Sequence, residues 1–185
     1  MSDLETIVAQ LGEDVARLKA EAAARKVLGR YMFLCDSPLP EAGIPPEARA
    51  RAIGDLFTPD AIWEGVGGAH GAQFGQHRGP DEIAAHMGRF YAAANPRQIF
   101  NTHYLCSEQV WATGPDSAEG QWVQFQPWIY DDGTSLIRSS RLHVRFRETE
   151  KGWKIAHYRT ENLFIGTLPE NWAHTMITQS VLMAG

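Results

Sequence analysis

The segment RYMFLCDSP, residues 30–38, brings a phenol and a carboxylate to the end of a predicted helix. Asp36 follows Tyr31 by five residues, after a run of large apolar side chains. A carboxylate is unfavourable there, because the carbonyl end of the helix dipole repels negative charge. Five residues also turn an ideal helix by about 500°, so the two side chains cannot share one face. We predict that the helix ends near Cys35, with Pro38 enforcing the stop.

A second group of candidate residues alternates along one predicted strand. Trp122, Gln124, Gln126 and Trp128 occupy every second position, so they share one face of that strand. A wall of this kind suits a small-molecule site, which is mostly apolar with a few polar groups. We assign Trp63, one of many aromatic residues in the chain, to the same cavity, whereas most of the others are predicted to be core.

The last predicted strand supplies two further candidates. Arg159 and His157 share strand parity with the apolar Trp153, so both are candidates for the inner face. Two interpretations of Arg159 stay open. It is either a pocket cation that stabilises negative charge or a surface arginine paired with an acid such as Glu161.

Motifs for metals, phosphates and nucleophiles are not found. The histidines show neither H-x-x-x-H nor H-E-x-x-H spacing, so we predict no metal. No serine lies in a G-x-S-x-G motif, and the glycine-rich loop lacks a phosphate-binding pattern. We therefore expect no cofactor. The remaining histidines are not predicted to be functional: His70, His86, His143 and His174.

Composition excludes some partners. The 185 residues carry a formal net charge of -5, so we expect no nucleic acid. No apolar run approaches the roughly 18 to 20 residues of a membrane span, so we expect no membrane. Two cysteines without metal spacing predict reduced thiols in the cytoplasm. Four arginines among apolar residues are assigned to one solvated face of a strand: Arg138, Arg141, Arg145 and Arg147.

The elements that must position these residues follow a simple order. A long helix runs to about residue 34, a second covers about 46–57, and a third covers 79–94. Strands are predicted at 98–112, 117–131, 135–148 and 152–164, with a short one at AIWEGV before them. Helices followed by an antiparallel meander indicate an α+β fold. We predict one domain over 1–185, with 1–13 as a helical extension and 166–185 as a tail.

Four stretches together resemble the SnoaL-like branch of the NTF2-like superfamily. They are IGDLFTPDAIWEG, HRGPDEIAAHM, FNTHYLCSEQVWATGPDSAEG and GWKIAHYRTENLF, and the similarity covers about residues 14–165. The resemblance implies a cone-shaped barrel, in which a curved antiparallel or mixed sheet wraps around three N-terminal helices and leaves an apolar pocket. Relatives include scytalone dehydratase, bile-acid dehydratase and hexachlorocyclohexane dehydrochlorinase.

The resemblance also implies catalytic residues. In those relatives, Tyr or Lys lies five residues before an Asp at the end of the first helix. That Asp pairs with a His at the start of the first long strand, and an Arg on the last strand completes the pocket. The matching residues are Tyr31, Asp36, His103 and Arg159, and His77 is similar to a second pocket histidine of scytalone dehydratase.

The function implied is that of a cofactor-independent lyase, dehydratase-like, or an isomerase. His103 would abstract a proton while Asp36 orients it, and the substrate would be a hydrophobic cyclic molecule such as a steroid, terpenoid or aromatic polyketide. The alternative is a non-catalytic carrier or an assembly protein similar to a dioxygenase β subunit. We expect a homodimer or homotrimer, because Tyr104 and Trp111 are predicted to lie on the outer face of the sheet.

Overall fold

The computed structural model describes residues 3–38, 44–68, 74–91, 97–170 and 172. The chain begins with a long helix, and its strands lie mostly in the second half. The helices and strands, in chain order, are α1 (Asp3–Cys35), α2 (Pro46–Gly54), β1 (Phe57–Val66), β2 (Gln76–Arg78), α3 (Gly79–Tyr91), β3 (Gln98–Asn101), β4 (Tyr104–Gly114), β5 (Ser117–Tyr130), β6 (Ser135–Thr149) and β7 (Gly152–Thr167).

The strands form one mixed sheet that curls around the helices. Its order is β2-β1-β7-β6-β5-β3, and β4 also pairs with β5. Strands β1 and β7 are parallel, whereas the other pairs are antiparallel. The core fills the concave face, where Leu28 and Leu34 of α1 meet Phe57, Leu142 and Ile155. The predicted α+β cone with a curved mixed sheet is confirmed.

Helix α1 has two unlike halves. From Ala20 onward it buries one face in the core, including Ala24 and Leu28. The first half is mostly exposed, although it carries apolar residues at helical spacing. We call this set the α1 stripe: Leu4, Ile7, Val8, Leu11, Val15 and Leu18. The predicted extension 1–13 is continuous with α1 from Asp3 onward.

The C-terminus of α1 is stabilised by an arginine from another helix. Helix α1 ends at Cys35, as predicted, and has no basic residue in its last turn. Instead Arg49 of α2 donates from Nε to the carbonyl oxygen of Leu34 at 2.6 Å, and from Nη2 to that of Asp36. The same guanidinium lies 3.7 Å from the centre of the Tyr91 ring. These bonds satisfy carbonyls that a helix end leaves free.

A backbone bridge joins the end of α1 to the sheet. Ser37 and Asn101 exchange two hydrogen bonds, of 2.7 Å and 2.8 Å. The bridge fixes the position of Asp36 next to the start of β4. Asp36 and His103 therefore lie side by side, although they are 67 positions apart in the sequence.

The predicted strand 98–112 is two strands. β3 ends at Asn101 and β4 begins at Tyr104, and both pair with β5. β3 pairs with the end of β5, from Trp128 to Tyr130, and β4 pairs with the remainder, from Ser117 to Phe125. Residues 102–103 therefore form a short connection between two strands that both pair with β5, and His103 lies in this connection.

β-Bulges interrupt the alternation of β7. Ile155 pairs with Phe146 and His157 pairs with the preceding Arg145, so Ala156 is an extra residue on β7. An extra residue reverses which side chains point inward beyond it. Ile155 is therefore buried before the bulge, whereas Tyr158 and Thr160 are buried after it.

The C-terminal end of the chain lies largely outside the described residues. β7 extends to Thr167, and most of the predicted tail 166–185 falls beyond the part that the structure describes, as do His70 and His174. Among the described helices, none has the length and apolar character to cross a membrane.

Replacement of Arg49 by Met tests its role at the end of α1. The change leaves two buried carbonyls without a donor, so we expect the free energy of unfolding to fall by about 2 to 4 kcal/mol in urea denaturation. The control is Arg51→Met on the same helix, whose exposed pair with Asp81 contributes less than about 1 kcal/mol. Equal losses in the two variants would contradict this role.

Candidate active site

A cavity opens between the helices and the concave face of the sheet. It contains about 540 Å³ of empty space, open space at its mouth included. Seven of its lining residues are aromatic and one carries a permanent charge. The lining residues are Tyr31, Cys35, Trp63, Phe74, Met87, Phe90, Tyr91, Gln98, Asn101, His103, Gln124, Gln126, Trp128, Arg138, Tyr158 and Thr160.

Asp36 and His103 form a buried pair at the wall of this cavity. One carboxylate oxygen, Oδ1 of Asp36, lies 2.7 Å from Nδ1 of His103. The same oxygen accepts the backbone N–H of His103 at 3.0 Å. Side-chain exposure is 9% for the histidine and 11% for the aspartate, so little water competes for either bond.

This geometry fixes the tautomer of His103. An ionised carboxylate can only accept, so Nδ1 must carry the proton and Nε2 keeps its lone pair. Burial lowers the pKa of His103 below its ordinary value, while the hydrogen bond and charge of Asp36 raise it. The net shift is downward, so the imidazole is neutral at neutral pH. A neutral imidazole with a free lone pair is suited to accept a proton.

A chain of amides lines the cavity next to the pair. Asn101 donates to the Cys35 carbonyl at 3.1 Å, Gln126 donates to Asn101 at 2.6 Å, and Gln124 donates to Gln126 at 2.6 Å. A carbonyl can only accept, so the Cys35 oxygen orients every amide in the chain. Oε1 of Gln124 is then left without a partner in the described structure.

Tyr31 contributes a protonated phenol. Its oxygen accepts from Nε1 of Trp63 at 2.9 Å and donates toward the sulfur of Met87 at 3.9 Å. Burial raises the pKa of Tyr31 well above its ordinary value. Because a thioether is a weak acceptor, a ligand oxygen can readily take the place of Met87.

Two residues predicted for the pocket lie on the outer face. Arg159 is exposed. His157 lies between Nη2 of Arg145 at 2.8 Å and Oε1 of Glu64 at 2.9 Å. Their predicted inward orientation is wrong. The extra residue at Ala156 reverses the alternation of inward and outward side chains, so positions beyond it no longer share the face of Trp153.

The cavity arginine is instead Arg138 of β6. It is 6% exposed and lines the cavity, so its assignment to a solvated face is wrong. Alternation along the strand could have indicated this position. Arg138 lies an even number of residues from the buried Leu142 and Val144, so it shares their face. Arg141 and Arg145 lie on the opposite face and are exposed. Burial lowers the pKa of Arg138, and the charge of Arg138 contributes to lowering the pKa of His103.

Two other predicted ligand-contacting residues lie behind the wall. Trp122 donates to Oε2 of Glu108 at 3.0 Å, and its ring leans over Gly120, where an added Cβ would come within 2.2 Å. His77 stacks on His86, with ring centres 3.9 Å apart, and bonds to a backbone carbonyl. Neither Trp122 nor His77 lines the cavity, so these two predictions are wrong.

His86, which was not predicted to be functional, supports the wall from behind. It is 3% exposed, and its ring lies 4.6 Å from that of Trp63. Burial lowers the pKa of His86 to about 3, so the ring is neutral and packs as an aromatic group.

Sequence reasoning also missed several lining residues. Tyr158 and Thr160 flank Arg159, and the bulge turns them inward. Burial raises the pKa of the Cys35 thiol to about 12, so this cysteine is not an activated nucleophile. Within the described ranges, no group of three or more His, Cys, Asp or Glu side chains could hold a metal ion.

The fold and the cavity define a class of protein. The family model for the SnoaL-like domain matches residues 16–159. The chain therefore belongs to the SnoaL-like family, within the NTF2-like superfamily. A comparison with curated protein sequences gave no match.

Solved structures of several relatives share the fold. A type 2 hexachlorocyclohexane dehydrochlorinase has a TM-score of 0.65 at 15% identity, over 84% of this chain and 93% of that chain. A protein of Novosphingobium aromaticivorans provisionally named scytalone dehydratase has a TM-score of 0.63 at 10% identity, over 82% and 89%. An NTF2-like protein of the same species has a TM-score of 0.56 at 19% identity, over 97% and 99%. At these identities the likeness shows the fold.

Replacement of Asp36 by Asn tests the electrostatics of the pair. We expect His103 of the unmodified protein to titrate below about 6.5, the ordinary histidine value. The change to Asn removes the group that raises this pKa, so it should fall further. NMR titration of the His103 ring measures both values, and Asp60→Asn, at an exposed acid, is the control. An unchanged or higher pKa in Asp36→Asn would contradict the proposed electrostatics.

Proposed function

We propose that this protein is a cofactor-independent lyase of the dehydratase type, or an isomerase, that acts on a hydrophobic cyclic small molecule. The single observation that carries the proposal is the 2.7 Å contact between Asp36 and His103 at the wall of an apolar cavity. A histidine held in one tautomer and kept neutral is a general base ready for proton abstraction.

The first step is removal of a proton from a carbon next to a carbonyl. Nε2 of His103 accepts the proton, and the imidazolium formed is stabilised by the carboxylate of Asp36 at Nδ1. For dehydration, the electron pair released forms the new double bond as a hydroxyl departs from the next carbon. The proton on His103 then passes to that hydroxyl, so water is released and the neutral base is restored. For isomerisation, the proton returns to another carbon.

Tyr31 assists by hydrogen bonding. Its raised pKa keeps the phenol protonated, so it donates to the departing hydroxyl or to the carbonyl oxygen. The amide chain that ends at Gln124 offers an acceptor for a substrate hydroxyl.

The cavity and the relatives support the class of substrate. Aromatic side chains such as Trp63, Phe74 and Trp128 line much of the wall, which favours a flat or cyclic apolar body. Two solved relatives are named as a dehydrochlorinase and a dehydratase, and both names denote elimination reactions.

Replacement of His103 by Gln tests the proposed base. A panel of hydroxylated cyclic ketones of steroid, terpenoid and aromatic polyketide type is screened for absorbance of the conjugated product. We expect the variant to lose about 100-fold or more of the turnover, because general-base catalysis contributes about that much. The matched control is His157→Gln, on the outer face and also paired with a carboxylate, which should keep its activity.

Unchanged turnover in His103→Gln would contradict the base. Binding of panel compounds without turnover by the unmodified protein would favour the alternative, a non-catalytic carrier on the same fold.

We further propose that self-association covers the α1 stripe. Val8 and Val15 alternate with Leu4, Leu11 and Leu18 at heptad spacing, a pattern that favours a parallel two-stranded coil. All five side chains are 47% exposed or more. In that register, Asp14 faces Lys19 of a second copy, which adds an attraction between opposite charges. A homodimer is therefore the proposed assembly. Separately, we propose the cytoplasm as the compartment of the protein.

Replacement of both Leu11 and Leu18 by Glu tests this assembly. The buried carboxylates would oppose pairing, so we expect a shift from dimer to monomer in sedimentation velocity. Ala9→Glu, away from the stripe on the same helix, should leave the dimer intact. A dimer that persists in the double variant would contradict the α1 interface, whereas a trimer in the unmodified protein would contradict the two-stranded register.

A further inference from the structure

The cavity contains a buried cation without an anion to neutralise it. Arg138 is 6% exposed, and within the described part of the chain its side chain makes one hydrogen bond, to Oγ of Ser140 at 3.3 Å. No described carboxylate forms an ion pair with it. A guanidinium has five donors, and burial of a charge without a partner is costly.

Two hydrogen-bond donors without a described partner lie close together in the part of the cavity wall around Arg138. Nε of Arg138 and Nε1 of Trp128 are both buried without a hydrogen-bond partner among the described residues. The guanidinium lies 5.1 Å from the centre of the Trp128 ring and 5.0 Å from that of Phe74. Buried donors in native proteins are seldom left unpaired, and a bound ligand would supply the acceptors that these two donors lack in the described structure.

From these contacts we infer that the ligand of this cavity carries a carboxylate, which binds to Arg138. The inference rests on the proposed function, because it concerns the ligand of the same site. A carboxylate can accept two parallel hydrogen bonds from a guanidinium, and these charge-assisted bonds are among the stronger ones in proteins.

The rest of the cavity fits such a ligand. Arg138 is the one permanently charged residue among the described lining residues, and aromatic rings flank it. A cyclic carboxylic acid would place its ring among Trp63, Phe74 and Trp128 and its acid at Arg138. His103 lines the same cavity, so the anchored ring is presented to the proposed base.

Binding of a matched pair of probes tests the inference. Naphthoate and naphthamide share one bicyclic ring, but only the former is an anion. We expect calorimetry to show that the unmodified protein binds naphthoate about 10- to 100-fold more tightly, since a hydrogen-bonded charge is worth about 1.5 to 3 kcal/mol. The preference should disappear in Arg138→Met and persist in Arg141→Met, on the outer face of the same strand.

One further variant and one further measurement keep the result interpretable. Arg138→Lys retains the charge and should retain part of the preference. Arg138→Met replaces an unpaired buried charge by an apolar side chain of similar length, so its thermal unfolding midpoint should be equal to or higher than that of the unmodified protein. A higher midpoint is a result that a merely structural arginine would not give.

His103→Gln separates this inference from the proposed function. This variant should keep the preference for naphthoate, because His103 is the base and not the anchor. If its turnover also persisted, the proposed function would fail while the anion site stood. The anion site is overturned if the unmodified protein shows no preference for naphthoate, or if the preference survives in Arg138→Met.

Discussion

One carboxylate oxygen organises the site. Oδ1 of Asp36 accepts both the backbone N–H and the ring Nδ1 of His103. The first bond ties the connection between β3 and β4 to the end of α1, and the second fixes which ring nitrogen carries the proton. Fold and proposed chemistry therefore depend on the same atom. A change at Asp36 must disturb both.

The surrounding structure compensates for a carboxylate placed next to a helix C-terminus. Such a position is electrostatically unfavourable, and α1 supplies no basic residue of its own in its last turn. Arg49 of α2 provides the missing positive charge and binds the terminal carbonyls. The bridge between Ser37 and Asn101 then holds the end of the helix against the sheet. Three separate elements thus converge on one short segment, and Asp36 is positioned for His103 at the cost of an unfavourable helix end.

Much of this arrangement could be predicted from sequence, but not all of it. The end of α1 at Cys35 followed from the position of Asp36 and Pro38, and the partner of Asp36 followed from resemblance to a family. Simple alternation assigned Gln124 and Gln126 to one face of β5, and both are buried and line the cavity. Alternation failed on β7, because the bulge at Ala156 changes the parity and no local residue type announces it. For Arg138 the alternation was read wrongly. The residue was assigned to a solvated face, although its even spacing from Leu142 indicated the inner face.

The proposed chemistry requires that His103 is a neutral base with its proton on Nδ1. The most direct test is long-range nitrogen–proton correlation NMR of the imidazole at neutral pH, which distinguishes the tautomers without knowledge of the substrate. This assignment predicts a proton on Nδ1, a free lone pair on Nε2, and a change in the Nε2 resonance when a cavity ligand binds. A proton on Nε2, or a doubly protonated ring at neutral pH, would contradict it.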